Sequence, residues 1–354
     1  MTNENDDEQK NTIQQSTILI TGGAGFIGSH LVDALATPKQ QNKIIILDNL
    51  STGKLANITH HFENNYINLN KATAKANKNK EEQKEVFTIS NKTGNVTFIK
   101  ADITNLALLQ NIFKKYKPNY VFHQAAIPSV PRSVKDPVRS NKANVDGTLN
   151  VLVASKDNKV KKLVYASSSS VYGDTPTLPK TEDMIPSPLS PYAVSKLTGE
   201  YYCKVFTECY DLLTVALRYF NVYGPRQDPK SEYAAVIPKF VTRTLNEESP
   251  IIYGDGKQTR DFTFVKDVAQ ANILAAKSDT NGVFNVAGGK RITIDELATS
   301  IIDSLNIAVE PQYIDPRPGD ILHSLADISK AKEKIDYEPL FEIHTGLKET
   351  IPWY

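Results

Sequence analysis

The chain has 354 residues, enough for one large α/β unit or two cooperating lobes and too long for a single small domain. Its 41 Lys and Arg against 40 Asp and Glu leave a formal charge of +1. That balance excludes a global field able to gather nucleic acid or an anionic membrane, so any anionic ligand must be held locally. Two cysteines, Cys203 and Cys209, are too few for a disulfide framework or a metal knuckle, and both are expected to be reduced.

In chain order, residues 1–16 are polar and acidic without an apolar stretch, which predicts a disordered tail and neither a signal peptide nor a spanning helix. The expectation is a cytoplasmic protein with no membrane or nucleic-acid partner. Apolar runs then alternate with helix-length stretches: TILITGG, KIIILDN, VTFIKAD, NYVFHQAA, KLVYASSS and LLTVALRYFN. This rhythm predicts an α/β fold with a Rossmann-type, doubly wound parallel sheet over 17–220, and return segments at about 262–288. The Lys- and Asn-rich stretch at about 60–94 is polar and low in complexity where a helix and a turn would suffice. It is expected to be a surface insertion, partly helical or disordered, with no catalytic duty. Beyond Asn221, Pro, Gly and Tyr become frequent and the strands shorten, which predicts a smaller, discontinuous α/β substrate lobe of 221–261 and 289–354.

The run ILITGGAGFIGSHLVDAL passes from a strand through glycines into an amphipathic helix, the context that gives a Gly-rich fingerprint meaning. Gly22, Gly25 and Gly28 permit a tight turn, close backbone approach to a pyrophosphate, and close helix packing above a positive helix N-terminus. Asp48 follows the second strand, twenty positions beyond Gly28, where a carboxylate accepts from ribose hydroxyls and repels a 2′-phosphate. These features point to NAD as the cofactor.

YASSSSVYGD would end a strand at the carboxyl edge of the sheet, where ligands of such folds bind. In SPYAVSKLTGEYY, Tyr192 and Lys196 are four apart and project from one helical face. The ammonium lowers the phenol's pKa, helped by an oxidised nicotinamide, and a tyrosinate base becomes available near neutral pH. Tyr-x-x-x-Lys is common on ordinary amphipathic helices; its place after a dinucleotide fingerprint favours the catalytic reading.

TGGAGFIG, DNLSTG, HQAA, SSSSVYG, YAVSK, RYFNVYGPRQ, GDGKQTRDF and RPGD together resemble the extended short-chain dehydrogenase/reductase family and, within it, the UDP-sugar 4-epimerases. The resemblance runs from about Ile18 over nearly the whole chain, apart from the insertion. It implies Ser168, Tyr192 and Lys196 as catalytic residues. For the cofactor it implies Gly22, Gly25, Phe26, Ile27 and Gly28 around the diphosphate, and Asp48 with Asn49 at the ribose. Asp102 and Ile103 fall at the adenine, and Gln124, Ala125 and Ala126 at the strand end beneath the diphosphate, with Tyr192 and Lys196 also touching NAD. His123 is expected to be a packed structural histidine. For a UDP-sugar substrate it implies Ser129, Ser168, Ser169 and Ser170 along the sugar and Asn221, Arg260 and Arg317 at the diphosphate. Ala235 and Val236 fall at the uracil, Asp320 at the uridine ribose, and Ser324 beside the sugar's C2 substituent.

The serine row stands where similar 4,6-dehydratases carry an acidic pair and a related decarboxylase a Glu, so oxidation and re-reduction at one carbon is the expected chemistry. Ser324 falls where a bulky tyrosine restricts some 4-epimerases to glucose and galactose. The chain is thus most similar to UDP-N-acetylglucosamine 4-epimerases of polysaccharide biosynthesis, with UDP-glucose/galactose as a second activity and the uronates UDP-glucuronate and UDP-GlcNAc uronate as alternatives. The resemblance also implies a homodimer through the Tyr192 helix. The reading from another class, a silent NAD-binding sensor or scaffold on the same fold, fits proteins lacking the Tyr or Lys, and both are here.

Overall fold

The computed structural model describes residues 12–62, 87–229, 235–316 and 322–354. The six apolar runs form strands β1 (Thr17–Thr21), β2 (Lys43–Asp48), β4 (Val96–Lys100), β5 (Tyr120–His123), β6 (Lys162–Ser168) and β7 (Leu213–Tyr219). With β3 (Phe87–Ser90) and β8 (Gly282–Val286) they make one eight-stranded sheet of order β8-β7-β6-β5-β1-β2-β4-β3. The pairs β1/β2, β1/β5, β2/β4 and β5/β6 are parallel. The main helices are α1 (Phe26–Leu35), α2 (Leu106–Tyr116), α3 (Gly147–Asp157), α4 (Pro191–Tyr210), α5 (Val236–Leu245), α6 (Val265–Lys277) and α7 (Ile294–Leu305).

The central strands read as unbroken apolar runs because both of their faces are covered. Leu19, Ile45, Val121 and Leu163 join one buried cluster with Leu109 and Phe113 of α2, Val151 and Leu152 of α3, and Phe206 of α4. The alternate residues Ile18, Ile20, Ile44 and Ile46 point to the other face and are also fully buried.

The insertion expected at 60–94 ends in regular structure. Strand β3 pairs antiparallel with β4 at the sheet edge. The turn between them is built by side chains suited to it: Asn91 bonds to Asn95 at 2.7 Å, Val96 N–H donates to Asn91 Oδ1 at 3.2 Å, and Gly94 N–H donates to Asn91 O. The remainder of that stretch, 63–86, lies outside the described residues.

The chain divides into two compact units. The first comprises the described residues of Met1–Ser167, Ser190–Leu217 and Ala269–Val283; the second comprises those of Ser168–Leu189, Arg218–Val268 and Phe284–Tyr354. In the second unit, Thr259–Asp261 pairs antiparallel with Arg291–Thr293, and Val222–Tyr223 pairs parallel with Thr263–Phe264. The buried Asp261 carboxylate ties these pieces together by accepting from Gly288 N–H (2.9 Å) and Ala326 N–H (3.1 Å). Among the described residues no helix is long and apolar enough to cross a membrane.

Helix α4 carries the Tyr-x-x-x-Lys pair, and its start and seating are strongly determined. Ser190 caps it by accepting from Ala193 N–H, and Pro191 occupies the first turn. Gly199 lies so close to the fully buried Tyr165 of β6 that a methyl there would sit 2.3 Å from the phenol oxygen. Alanine gains about 1 kcal/mol over glycine inside a helix. Overpacking of about 1–3 kcal/mol should exceed that gain, so Gly199→Ala is expected to lower the urea midpoint of unfolding. An unchanged or raised midpoint would show that α4 is not seated against Tyr165 this closely.

Candidate active site

The turn from β1 into α1 is shaped for an anion. Gly22 has φ +68°, and a methyl at Gly28 would sit 2.2 Å from Gly22 O, so the helix start can lie against the loop only with glycine there. Gly25 caps α1 with no side-chain bond, and the first turn, which includes the half-buried Phe26 and Ile27, has no acidic residue. Among the described residues the cap thus offers these amides no side-chain acceptor and the first turn no carboxylate, which fits the pyrophosphate of a dinucleotide.

Asp48 ends β2. Its carboxylate accepts from Ala24 N–H (3.0 Å) and Leu50 N–H (2.8 Å), which binds the glycine loop to the loop after β2 and leaves each oxygen further acceptor capacity. Burial raises its pKa, against the lowering effect of those two bonds. Asn49 and Asp102 are brought together by a 2.8 Å bond from Asn49 Nδ2. Burial alone would raise Asp102; bonds from Thr104 and Asn49 and the charge of Lys142 outweigh it and hold the carboxyl below its ordinary value. Ile103 is buried, and its carbonyl accepts from Asn150.

At the end of β5, Ala125 N–H donates to Thr21 Oγ1 (3.3 Å), the half-buried Ala126 follows it, and Gln124 Nε2 donates to Asn272 (3.0 Å). Thr148 donates its hydroxyl proton to Asn144 O, so its bond with His123 Nε2 (2.9 Å) requires the proton on that ring nitrogen; Nδ1 then accepts from Thr21 (2.7 Å). Burial, reinforced by the charge of Lys196, pushes His123 down to about 3, so it stays neutral and packed. Ser129 has a φ of +119° and caps the helix Val130–Lys135 by accepting from Arg132 N–H.

On α4, Tyr192 is half-buried and its N–H donates to Ser133 Oγ at 3.0 Å. Lys196 is fully enclosed: Nζ donates to Ala166 O of β6 at 2.7 Å and lies 5.1 Å and 5.9 Å from the ring centroids of Tyr165 and Tyr192. Burial pushes its ammonium down to about 8, and the charge of Glu200 opposes that fall. An ammonium held beside a phenol favours its conversion to a phenolate base.

The four serines divide their work. Ser167 is buried and donates to Glu200 Oε1 at 2.5 Å. Ser168 ends β6 and accepts from Ser170 N–H at 3.2 Å; Ser169 and Ser170 open the following 3₁₀ turn. Ser170 Oγ is buried with no hydrogen-bond partner among the described residues, a polar atom suited to a ligand hydroxyl.

The second unit holds a cavity of about 260 Å³ whose lining includes Asn221, Ala235, Val236 and Arg260. Asn221 Nδ2 donates to Ser324 Oγ (3.2 Å) and Asp261 O (2.9 Å), and Arg260 Nη1 donates to Thr259 O (2.9 Å) and Leu322 O (3.3 Å). Five residues singled out from the sequence are thus joined here, while Arg317 and Asp320 lie outside the described residues. Gln227, Lys239 and Tyr253 also line the cavity and escaped the sequence reading. Lys239 sits on an amphipathic helix, where a lysine is normally a solvated face.

Glu200 was missed too, although the i, i+4, i+8 spacing of Tyr192, Lys196 and Glu200 was a signal available in the sequence. Replacing it with Gln removes the charge that supports the Lys196 ammonium, so Lys196 loses its proton at lower pH. We expect Glu200→Gln to shift the alkaline limb of the kcat/KM profile toward lower pH, with about a tenfold loss at the wild-type optimum. An unmoved limb would assign Glu200 a packing role only.

Residues 18–287 match the model of the NAD dependent epimerase/dehydratase family. The chain is 39% identical to a putative UDP-glucose 4-epimerase of Methanocaldococcus jannaschii, over 95% of this chain and 97% of that protein. A UDP-N-acetylglucosamine 4-epimerase from Methanobrevibacter ruminantium, solved with UDP-N-acetylmuramic acid, is 46% identical with a TM-score of 0.82, covering 96% of this chain and 98% of that one. The UDP-glucose 4-epimerase of Thermotoga maritima, solved with UDP-glucose, is 37% identical with a TM-score of 0.82, covering 95% and 98%. With the glycine cradle, the buried Lys196 and these likenesses together, the chain belongs to the NAD dependent epimerase/dehydratase family and is an isomerase of its NAD-dependent UDP-sugar 4-epimerase group.

Proposed function

We propose that this protein interconverts UDP-N-acetylglucosamine and UDP-N-acetylgalactosamine at C4, with UDP-glucose and UDP-galactose as a second activity. The observation that carries this reading is the cavity lined by Asn221, Ala235, Val236 and Arg260, with the small Ser324 bonded to Asn221. A guanidinium fork suits diphosphate oxygens, and Arg317 is read in the same role. Backbone groups at Ala235 and Val236 hold uracil, and Asp320 holds the uridine ribose. A serine at position 324 leaves room for a 2-acetamido group where a tyrosine would fill it.

Gly22, Gly25, Gly28, Asp48, Asn49 and Asp102 hold NAD. NAD, when bound there, would supply a reversible hydride acceptor at C4 and would not be consumed overall. Tyr192, as phenolate, takes the proton from the sugar O4 and later returns it, and Lys196 stabilises the phenolate. Ser168 donates a hydrogen bond to the oxygen that becomes the 4-keto group, and Ser129, Ser169 and Ser170 position the ring. The ketose turns about its diphosphate link between the two half-reactions. The chain acts as a homodimer, a reading supported by the exposed Val194, Tyr201 and Val205 on α4.

The test is product analysis by anion-exchange chromatography after separate incubation with UDP-GlcNAc, UDP-glucose, UDP-GlcNAc uronate and UDP-glucuronate. We expect UDP-GlcNAc to give UDP-GalNAc, with a loss of about 10²-fold or more in Tyr192→Phe. Ser324→Tyr should move preference toward UDP-glucose by about tenfold or more. Turnover of UDP-glucose alone would overturn the pocket argument, and turnover of a uronate alone would assign the site to that substrate instead.

A further inference from the structure

We propose that Asp33, His60 and His61 form a binding site for a divalent first-row transition ion of the zinc class, on the outer side of α1 and independent of the epimerase site. His60 Nε2 and His61 Nε2 each lie 2.8 Å from the same oxygen, Asp33 Oδ1, and the three donor atoms fall within 4.8 Å of one another. The two rings lie with centroids 4.1 Å apart, tilted by 42°. Two imidazoles and a carboxylate are a donor set that suits zinc, copper and nickel over magnesium or calcium.

The site is built from two rigid pieces. Asp33 stands on α1, whose buried residues are Gly28, Ser29, His30, Leu31, Val32 and Leu35. The histidines lie on the 3₁₀ turn Thr59–His61, and Ile58 and Phe62 on either side of the pair are wholly buried, so both ends of the turn are anchored. Asn57 adds a bond from Nδ2 to Ala24 O at 2.9 Å. The side chains stay accessible from solvent, His60 at 49%, Asp33 at 32% and His61 at 14%, which leaves room for an ion to enter and for water to complete its shell.

Without an ion, both imidazoles donate Nε2–H to one carboxylate oxygen. With zinc bonds of about 2.0–2.2 Å to N and O in a tetrahedral shell, each Nε2 needs to draw back from Asp33 Oδ1 by only about half an ångström. On binding, each imidazole gives up its hydrogen bond to Asp33, its proton moves from Nε2 to Nδ1, and the Nε2 lone pair faces the metal.

The test uses the full, untagged chain, freed of metal by a chelator and titrated with Zn²⁺ by isothermal calorimetry at neutral pH. A single saturable equivalent is expected, lost in the His60→Ala/His61→Ala double variant and weakened about tenfold or more in Asp33→Asn, with UDP-sugar turnover unchanged in each. Because His60 is half exposed, His60→Gln alone leaves the turn intact and should also weaken binding about tenfold. Co²⁺ should give visible d–d absorption that the double variant lacks. No uptake of Zn²⁺, uptake undiminished in the double variant, or an unchanged affinity in His60→Gln would each overturn the proposal.

Discussion

The buried ammonium of Lys196 is the constraint around which α4 and the end of β6 are arranged. A lone buried charge is costly, so its partners must be fixed by the fold. The Ala166 carbonyl at the end of β6 takes one of its protons at 2.7 Å, and Glu200, one turn further along α4, supplies the opposing charge. Glu200 is in turn held by Ser167, the residue after Ala166, so strand and helix are joined twice at the same level. That junction demands close seating of α4, which explains a glycine in the middle of a twenty-residue helix, where glycine is otherwise unfavourable. It also fixes Tyr192, whose backbone N–H is received by the Ser133 hydroxyl.

The sheet was largely legible in the sequence because burial on both faces writes itself as continuous Val, Ile and Leu. All six runs quoted for the large sheet are strands in it, and the pairs β1/β2, β1/β5, β2/β4 and β5/β6 are parallel. Strand β3 was not legible: FTIS is four residues long, lies at a sheet edge, and follows a Lys- and Asn-rich stretch that dominates any reading of composition. The hairpin signal was there in the Asn and Gly of its turn, but Asn is so frequent in this region that it marked nothing locally.

Within the candidate site, the sequence singles out residues that carry backbone shape or sit in a motif and passes over those whose enclosure only the fold shows. Glycines, Asp48 and the Tyr-x-x-x-Lys spacing announce themselves by position. Glu200 reads in sequence as the charged partner of a surface i, i+4 pair, and only the packing against β6 reveals it as enclosed. The serine row shows the same limit: the sequence offers four equal hydroxyls, whereas the fold commits Ser167 to Glu200 and buries Ser170 Oγ with no bond among the described residues. In the second unit, Asn221, Arg260 and Ser324 are far apart along the chain. They converge because Asp261, the neighbour of Arg260 in the strand Thr259–Asp261, accepts from Asn221 through its carbonyl and from Gly288 and Ala326, two residues beyond Ser324, through its carboxylate.

The central claim is that the C4 hydrogen of the sugar leaves and returns without exchanging with water. The most direct measurement follows a UDP-sugar substrate deuterated at C4 through one turnover in ordinary water, with NMR of its C4 epimer. The account predicts that the product keeps deuterium at C4, because the atom never meets solvent and only the O4 proton passes through Tyr192. Loss of deuterium to water with inversion at C4 would mean that the hydrogen is removed as a proton, and would contradict the roles given to Tyr192, Lys196 and the cofactor cradle.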